Sequence, residues 1–454
     1  MISILLARLL LPEEFGLIAM LSVFISVGNS LMDSGLTSSL IRTNDAGEKD
    51  YSTIFYFNLV GSIIIYLILY ACAPLISSFY DQPQLLNIVR VYSFSFIINA
   101  FFSIQSTRLT KEMNFKIQTA IKVPAAIASG LVGVVLARMG YGVWSLVWMY
   151  LLNSSIITAM HWVYSSWRPR LIFDKESFRK HFFFGYKMTI SGLIETLYQN
   201  IYVVIIGKNY PAAQLGFYSR ADSISQLPIS NISIAINKVT YPVLAKIADD
   251  NEKLKDVYRQ LLQQLIFCNT PILICLSVIA EPLFRFLLTD KWMPAVPYFQ
   301  ILCLAGIMYP LHSYNLNILK VKGRSDLFLQ LELVKKILSI IGILLVIPFG
   351  VLGLLYFQLG FSLISYLINS FYSGRIISYP VKEQIADVYP SLLLASLTGY
   401  ICYLFGLHVL ARFNVIDPGR IMLTSFLYFT LYMGISYALK LNAITNLKHL
   451  ILRK

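Results

Sequence analysis

Asp33, Lys187, Glu195 and Asp222 stand within apolar stretches of the sequence, and uncharged polar residues recur around them at helical spacing. With successive side chains ~100° apart, Ser219, Asp222, Ser223, Gln226, Ser230, Ser233 and Asn237 fall in one arc of roughly 100°. Ser22, Ser26, Asn29, Asp33 and Thr37 make a second such face, and Lys187, Ser191, Glu195, Tyr198, Gln199 and Tyr202 a third. Hydroxyls and amides replace water around a polar solute, cations such as Arg8, Lys187 and Arg220 neutralise an anionic one, and carboxylates take up a proton or sodium. Lys187 and Glu195 lie eight residues apart, ~12 Å along a helix, too far to pair directly.

The flanking sequence determines what positions these residues. The chain of 454 residues is 57% hydrophobic and 13% charged, against about 25% charged in soluble domains. Apolar stretches near the length that crosses a ~30 Å hydrocarbon layer occupy 1–11, 15–36, 53–73, 85–107, 119–138, 141–163, 182–205, 216–236, 258–280, 296–316, 331–348, 351–372, 389–409 and 420–439. Runs such as Ile63 to Leu69 are apolar on all sides, where barrel strands would alternate. The reading is an all-α integral membrane protein of about fourteen spans with almost no soluble part. The first stretch rises only ~16 Å as a helix and reads as a truncated span; it has no basic leader and no small-residue cleavage site before Pro12, so it does not read as a signal peptide.

Polar groups in lipid turn toward cavities or other helices, so the three arcs predict a water-filled cleft between two lobes, lined by spans one, two, seven and eight. The competing reading is that Ser, Asn and Gln only join packed helices by hydrogen bonds. It suits the serines; the charges Asp33, Lys187, Glu195 and Asp222 suit the cleft. Arg220 and Arg8 lie near span ends, where snorkelling to water is the alternative.

Numbered alternately, the loops on one side carry 25 basic residues and those on the other 7, with Arg90, Lys187, Arg220, Lys335 and Lys336 inside spans. The rich side is cytoplasmic by the positive-inside rule and includes the C-terminus. This asymmetry accounts for most of the +14 net charge without nucleic acid, since the basic loops are short and scattered.

An internal repeat organises the spans. Leu11-Pro12-Glu13-Glu14-Phe15-Gly16 resembles Tyr210-Pro211-Ala212-Ala213-Gln214-Leu215-Gly216; Ala73-Pro74-Leu75 with Asp81 resembles Glu281-Pro282-Leu283 with Asp290; Arg108 to Lys111 matches Leu319 to Lys322. An offset of 200 superposes Ser22 on Asp222, Ser26 on Gln226, Ser30 on Ser230 and Asp33 on Ser233. Two six-helix lobes follow, 1–181 and 182–372, with two further helices and a cytoplasmic tail in 373–454.

Pro124, Pro228, Pro271 and Pro310 fall inside spans and permit kinks. His161 and His312 read as locally satisfied histidines rather than proton carriers. Cys72, Cys268, Cys275, Cys303 and Cys402 lie in or beside spans without metal-ligand spacing and read as buried thiols. There is no GxxxxGK[ST] loop and no HExxH, which excludes ATP hydrolysis by a Walker-type site. A membrane glycosyltransferase or polymerase would need acidic residues in a substantial external loop, and Asp290, in the segment 281–295, reads as an ordinary loop residue.

Leu6-Ala7-Arg8-Leu9-Leu10-Leu11-Pro12-Glu13-Glu14-Phe15-Gly16-Leu17-Ile18-Ala19-Met20, with Asp33-Ser34-Gly35-Leu36 on the next helix, resembles the start of Wzx-like polysaccharide flippases of the multidrug/oligosaccharidyl-lipid/polysaccharide exporter superfamily. The helix count, the two lobes and the terminal pair extend the resemblance over the chain. It implies a transporter, not an enzyme, that moves a polyprenyl-pyrophosphate-linked oligosaccharide to the outer leaflet of the bacterial inner membrane by alternating access. It also implies coupling to protons or sodium, work beside a polysaccharide polymerase, and twenty or more residues ahead of the Leu-Ala-Arg motif. On this reading Arg8, Lys187 and Arg220 would meet the pyrophosphate, while Asp33, Glu195, Tyr198, Gln199, Asp222 and Gln226 complete the cavity. A multidrug antiporter and a peptidoglycan lipid-precursor flippase are the rivals within the superfamily.

Overall fold

Lipid offers no hydrogen bonds, so a spanning chain must satisfy its own backbone, and every regular element among the described residues is helical. The computed structural model describes residues 2–33, 35–410, 412–413, 415–441 and 443–444, with only the backbone of Asp33, 235–237 and 239. By backbone proximity the chain forms two compact units, Met1–Gly216 and Phe217–Lys454.

The first unit contains α1 (Ile2–Leu9), α2 (Pro12–Asp33), α3 (Leu36–Arg42), α4 (Glu48–Phe79), α5 (Leu85–Tyr92), α6 (Ser95–Lys111), α7 (Phe115–Arg138), α8 (Val143–Tyr164), α9 (Lys175–Gln199), α10 (Ile201–Asn209) and the first residues of α11 (Ala212–Lys246). The second continues α11 and adds α12 (Asn251–Val278), α13 (Ala280–Leu288), α14 (Val296–Gly306), α15 (Tyr309–Val321), α16 (Ser325–Val346), α17 (Gly350–Ile376), α18 (Val381–Phe405) and α19 (Asp417–Ala438). Ten helical segments among the described residues are long and apolar enough to cross a bilayer, and α9 with α10, bent by 44°, would make eleven. One of the ten, Ser325–Ile376, is two helices, α16 and α17, on either side of a turn through Gly350.

Helix starts follow their cap residues. Asp174 and Asp250 accept the backbone N–H groups of Ser177 and Lys253 at 2.8 and 3.0 Å, satisfying donors that a first helical turn leaves free. The Ser177 N–H also holds the Asp174 carboxyl below the usual carboxylate range. Glu14 reaches back to the Leu11 N–H at 2.6 Å at the start of α2. Pro124, Pro228 and Pro271 lie within α7, α11 and α12. Pro310 does not interrupt a helix: α14 stops at Gly306, and Pro310 sits in the first turn of α15, where a missing N–H costs nothing.

Two glycines of the repeated motif meet inside the first unit. A Cβ on Gly16 would stand 1.9 Å from the Ala212 carbonyl oxygen, and one on Gly216 1.9 Å from that of Pro12. On α11 the small residues Ala212 and Gly216 stand four apart, the pattern that lets membrane helices touch backbone to backbone, and they face Pro12 and Gly16 of α2. Each unit also has a lysine that ties down the loop ahead of a long helix. Lys111, ending α6, donates to the Thr43 carbonyl at 2.5 Å before α4. Lys322, just after α15, donates to the Ala248 carbonyl and to Asn251 Oδ1 at the start of α12.

The loop after α8 folds back on the first unit. Trp167 is buried against Tyr51 and Phe55, while the N–H groups of Arg170 and Asp174 donate to Ser52 and Thr53. In the second unit, α18 and α19 close on α12: the Tyr432 hydroxyl donates to the Phe267 carbonyl at 3.1 Å, and Gly399 leaves room for Ile274.

Candidate functional site

Membrane helices expose polar side chains only where water or another helix receives them, and in the first unit four helices turn such faces to one space. Ser26, Asn29, Ser30 and Thr37 from α2 and α3, Asn99, Ser103, Ser106 and Thr110 from α6, and Thr196, Gln199 and Asn200 at the end of α9 line a cavity of about 720 Å³. Among the described residues none that lines it is charged. The wall from α9 ends where that helix breaks: Asn200 lies between α9 and α10, and its amide donates to the Thr196 carbonyl at 2.8 Å. Irregular backbone at membrane depth is tolerated where it lines such a cavity. Close approach of the walls depends on glycine. Gly28 accepts the Phe96 ring of α6 against α2, and Gly35, at φ 59°, lies against the Gly185 backbone of α9.

Asn29, Thr37 and Gln199, residues of the polar arcs, line this cavity, Thr37 from α3 rather than α2. The polar face of α6 is an addition. Asn99, Ser103, Ser106 and Thr110 recur at four, three and four residues, a helical stripe as regular as the one in α2 but without a charge to draw attention to it.

Arg8, Lys187 and Glu195 are not among this cavity's described lining residues. Lys187 is exposed on α9, its Nζ 5.9 Å from the Tyr186 ring centroid. Glu195 accepts the Gln199 amide at 3.0 Å, and Tyr198 is half-buried one residue before it. Arg8 is exposed near the end of α1. Asp33 ends α2, and its side chain is outside the described residues, as is that of Asn237.

In the second unit Gln226 lines a smaller cavity, about 110 Å³, with Ser225, His312, Gln358 and Ser362. Gln226 Nε2 approaches Asp222 Oδ1 at 3.4 Å, and the Arg220 guanidinium lies 5.8 Å from the Trp292 ring centroid. The serines of α11 mostly bond their own helix: Ser223, Ser230 and Ser233 each donate to the carbonyl four residues back, at 2.7 Å. That is local satisfaction, within one helix rather than across two. His161 likewise places Nδ1 2.8 Å from the Ile157 carbonyl of its own helix.

One cluster has the order of a hydrolytic triad. Ser39 Oγ lies 2.7 Å from His181 Nδ1, and His181 Nε2 lies 3.2 Å from Asp50 Oδ1. Ser39 and His181 are buried, at 6% and 0% exposure, which leaves no room for a carbonyl beside the hydroxyl. The cluster acts as a clasp that ties α3 and α4 to α9.

A family model described as "Polysaccharide biosynthesis protein" matches residues 5–297. The chain is 26% identical over 367 residues to the teichuronic acid biosynthesis protein TuaB of Bacillus subtilis (strain 168), covering 80% of this chain and 75% of that protein. It is 25% identical over 409 residues to the lipopolysaccharide biosynthesis protein WzxC of Escherichia coli (strain K12), covering 88% and 82%. Among solved structures, the lipid II flippase MurJ in an inward closed conformation superposes with a TM-score of 0.76 at 12% identity, over 96% of both chains. At that identity the likeness shows a shared fold.

Proposed function

This chain belongs to the polysaccharide biosynthesis protein family, and from that premise we propose that it flips a polyprenyl-pyrophosphate-linked oligosaccharide from the cytoplasmic to the outer leaflet by alternating access, for surface polysaccharide assembly. The observation that carries the reading is the polar cavity of the first unit, whose described walls are chiefly hydroxyls and amides from α2, α3, α6 and α9. Such groups both donate and accept, as the hydroxyls of an oligosaccharide do. A multidrug antiporter for organic cations would favour acidic walls, and among the described side chains, which leave out Asp33, none of the lining residues is acidic.

The rest of the reading follows from sequence. The chain carries fourteen spans in lobes 1–181 and 182–372 with a terminal pair in 373–454, in a bacterial inner membrane with the C-terminus cytoplasmic. The meeting of Gly16 with Ala212 and Gly216 with Pro12, and the parallel roles of Lys111 and Lys322, support the repeat. Arg8, Lys187 and Arg220 supply charge for the pyrophosphate, and Asp33, Glu195 or Asp222 takes the coupling proton or sodium. The chain is a transporter without catalytic residues and works beside a polysaccharide polymerase. Neutralising Lys187 or Arg220 as glutamine should lower transfer of a defined lipid-linked oligosaccharide in reconstituted vesicles while membrane insertion is kept. Unchanged transfer in both variants would refute the role given to these cations.

A further inference from the structure

A second groove of the first unit, about 680 Å³, lies between α4, α5 and α8, apart from the polar cavity. Its walls are chiefly aromatic, from Tyr66, Tyr70, Trp144 and Trp148, and two polar side chains enter it, Asn87 and Arg90. Arg90 lies five residues, ~8 Å, into the membrane-crossing segment that begins at Leu85. It does not extend toward the helix end as a snorkelling arginine would. Its guanidinium stacks 4.5 Å from the Tyr70 ring centroid, and Tyr70 is nine residues, ~14 Å, inside the end of α4. Arg90 forms no ion pair among the described residues, and its Nε is buried without a hydrogen-bond partner. A cation at that depth is costly unless something neutralises it.

Lipid is at hand. Ile64, Leu67 and Ile68 of α4 are more than half exposed beside the groove, apolar surface that acyl chains cover. Trp144 and Trp148 in the first turns of α8 mark the level of an interfacial aromatic belt.

We propose that this groove is a binding site for an anionic bilayer phospholipid, whose phosphate pairs with Arg90 and whose chains run down α4. Charge selects the occupant. One guanidinium matches the single negative charge of a phosphodiester, whereas a pyrophosphate carries more charge than one cation balances, and a neutral glycan would leave the Arg90 charge without a counter-ion. The Arg90 donors take the phosphate oxygens, Asn87 adds an amide three residues before Arg90, and the tryptophans flank the glycerol. The site goes beyond the proposed transport function, because it holds a lipid of the surrounding membrane rather than cargo.

The test uses the purified full chain in mild detergent and native mass spectrometry, titrating phosphatidylglycerol with phosphatidylcholine as the zwitterionic reference. The parent chain should retain one phosphatidylglycerol more tightly than Arg90→Gln by roughly tenfold or more, with phosphatidylcholine retained equally by both. Asn87→Asp keeps Arg90 and sets a carboxylate beside it. It should lose phosphatidylglycerol to a similar degree, and it carries the test alone if Arg90→Gln does not fold. Equal phosphatidylglycerol retention by the parent and Asn87→Asp overturns the site. Tighter Arg90-dependent retention of a polyprenyl phosphate than of phosphatidylglycerol overturns the assigned occupant.

Discussion

Replacing Gly16 or Gly216 with alanine tests the closest helix contact of the first unit. The new methyl would stand 1.9 Å from a backbone oxygen, of Ala212 in one case and Pro12 in the other. A carbon and a carbonyl oxygen meet at about 3.3 Å, so the two helices must separate by roughly 1.4 Å at that point. Neither oxygen can rotate away, because each belongs to the first turn of a helix. Overpacking of this kind costs about 1–3 kcal/mol, and a fixed backbone partner places each substitution in the upper half of that range. At about 2 kcal/mol the folded-to-unfolded ratio falls roughly 30-fold. Equilibrium unfolding of the purified protein in detergent, followed by circular dichroism, reads this directly. Because the space opened for one methyl admits the other, the double variant should cost less than the sum of the two, a coupling that a mutant cycle measures. If each single variant unfolds within ~0.5 kcal/mol of the parent, the level of ordinary surface substitutions, the close crossing is refuted.

Lys111→Met and Lys322→Met each remove a charged donor from a loop carbonyl, and each should cost roughly 1–2 kcal/mol in the same assay, less where water replaces the bond; a neutral result for both would remove the loop-tie role. Asp387 accepts from Tyr379 at 2.5 Å, Gln263 at 2.7 Å and Arg259 at 2.6 Å while its side chain is only 6% exposed. Asp387→Leu leaves those donors without an acceptor and should destabilise the second unit by about 3 kcal/mol, detectable as earlier unfolding of α18 in hydrogen exchange. Asn99→Leu removes an amide from the polar cavity and should slow oligosaccharide transfer about tenfold with little change in stability; unchanged transfer would show that α6 does not meet cargo.

Most of the helical architecture is legible in the sequence because lipid permits few alternatives: a long apolar run must be helical, and its ends carry Asp, Asn or Gly caps such as Asp174, Asn114 and Asp250. What the hydropathy pattern conceals is interruption. The span read at 296–316 is α14 and α15, joined through the apolar residues Ile307 and Met308, and that at 182–205 breaks at Asn200 with a bend of 44°. In the site, helical spacing puts Ser26 and Asn29 on one face of α2, and both line the cavity, while Thr37 joins them from α3 across the turn at Gly35. The polar arcs read from sequence leave out α6, whose Ser and Thr residues alternate with phenylalanine and isoleucine in an equally regular stripe. The charges drew attention for their cost in lipid, yet Lys187 is exposed on α9 beside the Tyr186 ring, a matter of where α9 leaves its neighbours and beyond the reach of spacing along one helix. The Arg90 groove was illegible for a related reason, since Tyr70, Arg90 and Trp148 come together only when α4, α5 and α8 pack.

The central claim is that the chain moves a lipid-linked oligosaccharide between leaflets. Its most direct test is leaflet transfer in proteoliposomes, with a fluorescent polyprenyl-pyrophosphate-linked oligosaccharide in one leaflet and a membrane-impermeant glycosidase or quencher outside. The account predicts protein-dependent transfer that Asn99→Leu slows, with no accelerated efflux of organic cations from the same vesicles. Transfer no faster than in protein-free vesicles under imposed proton and sodium gradients, or cation efflux in its place, would contradict it.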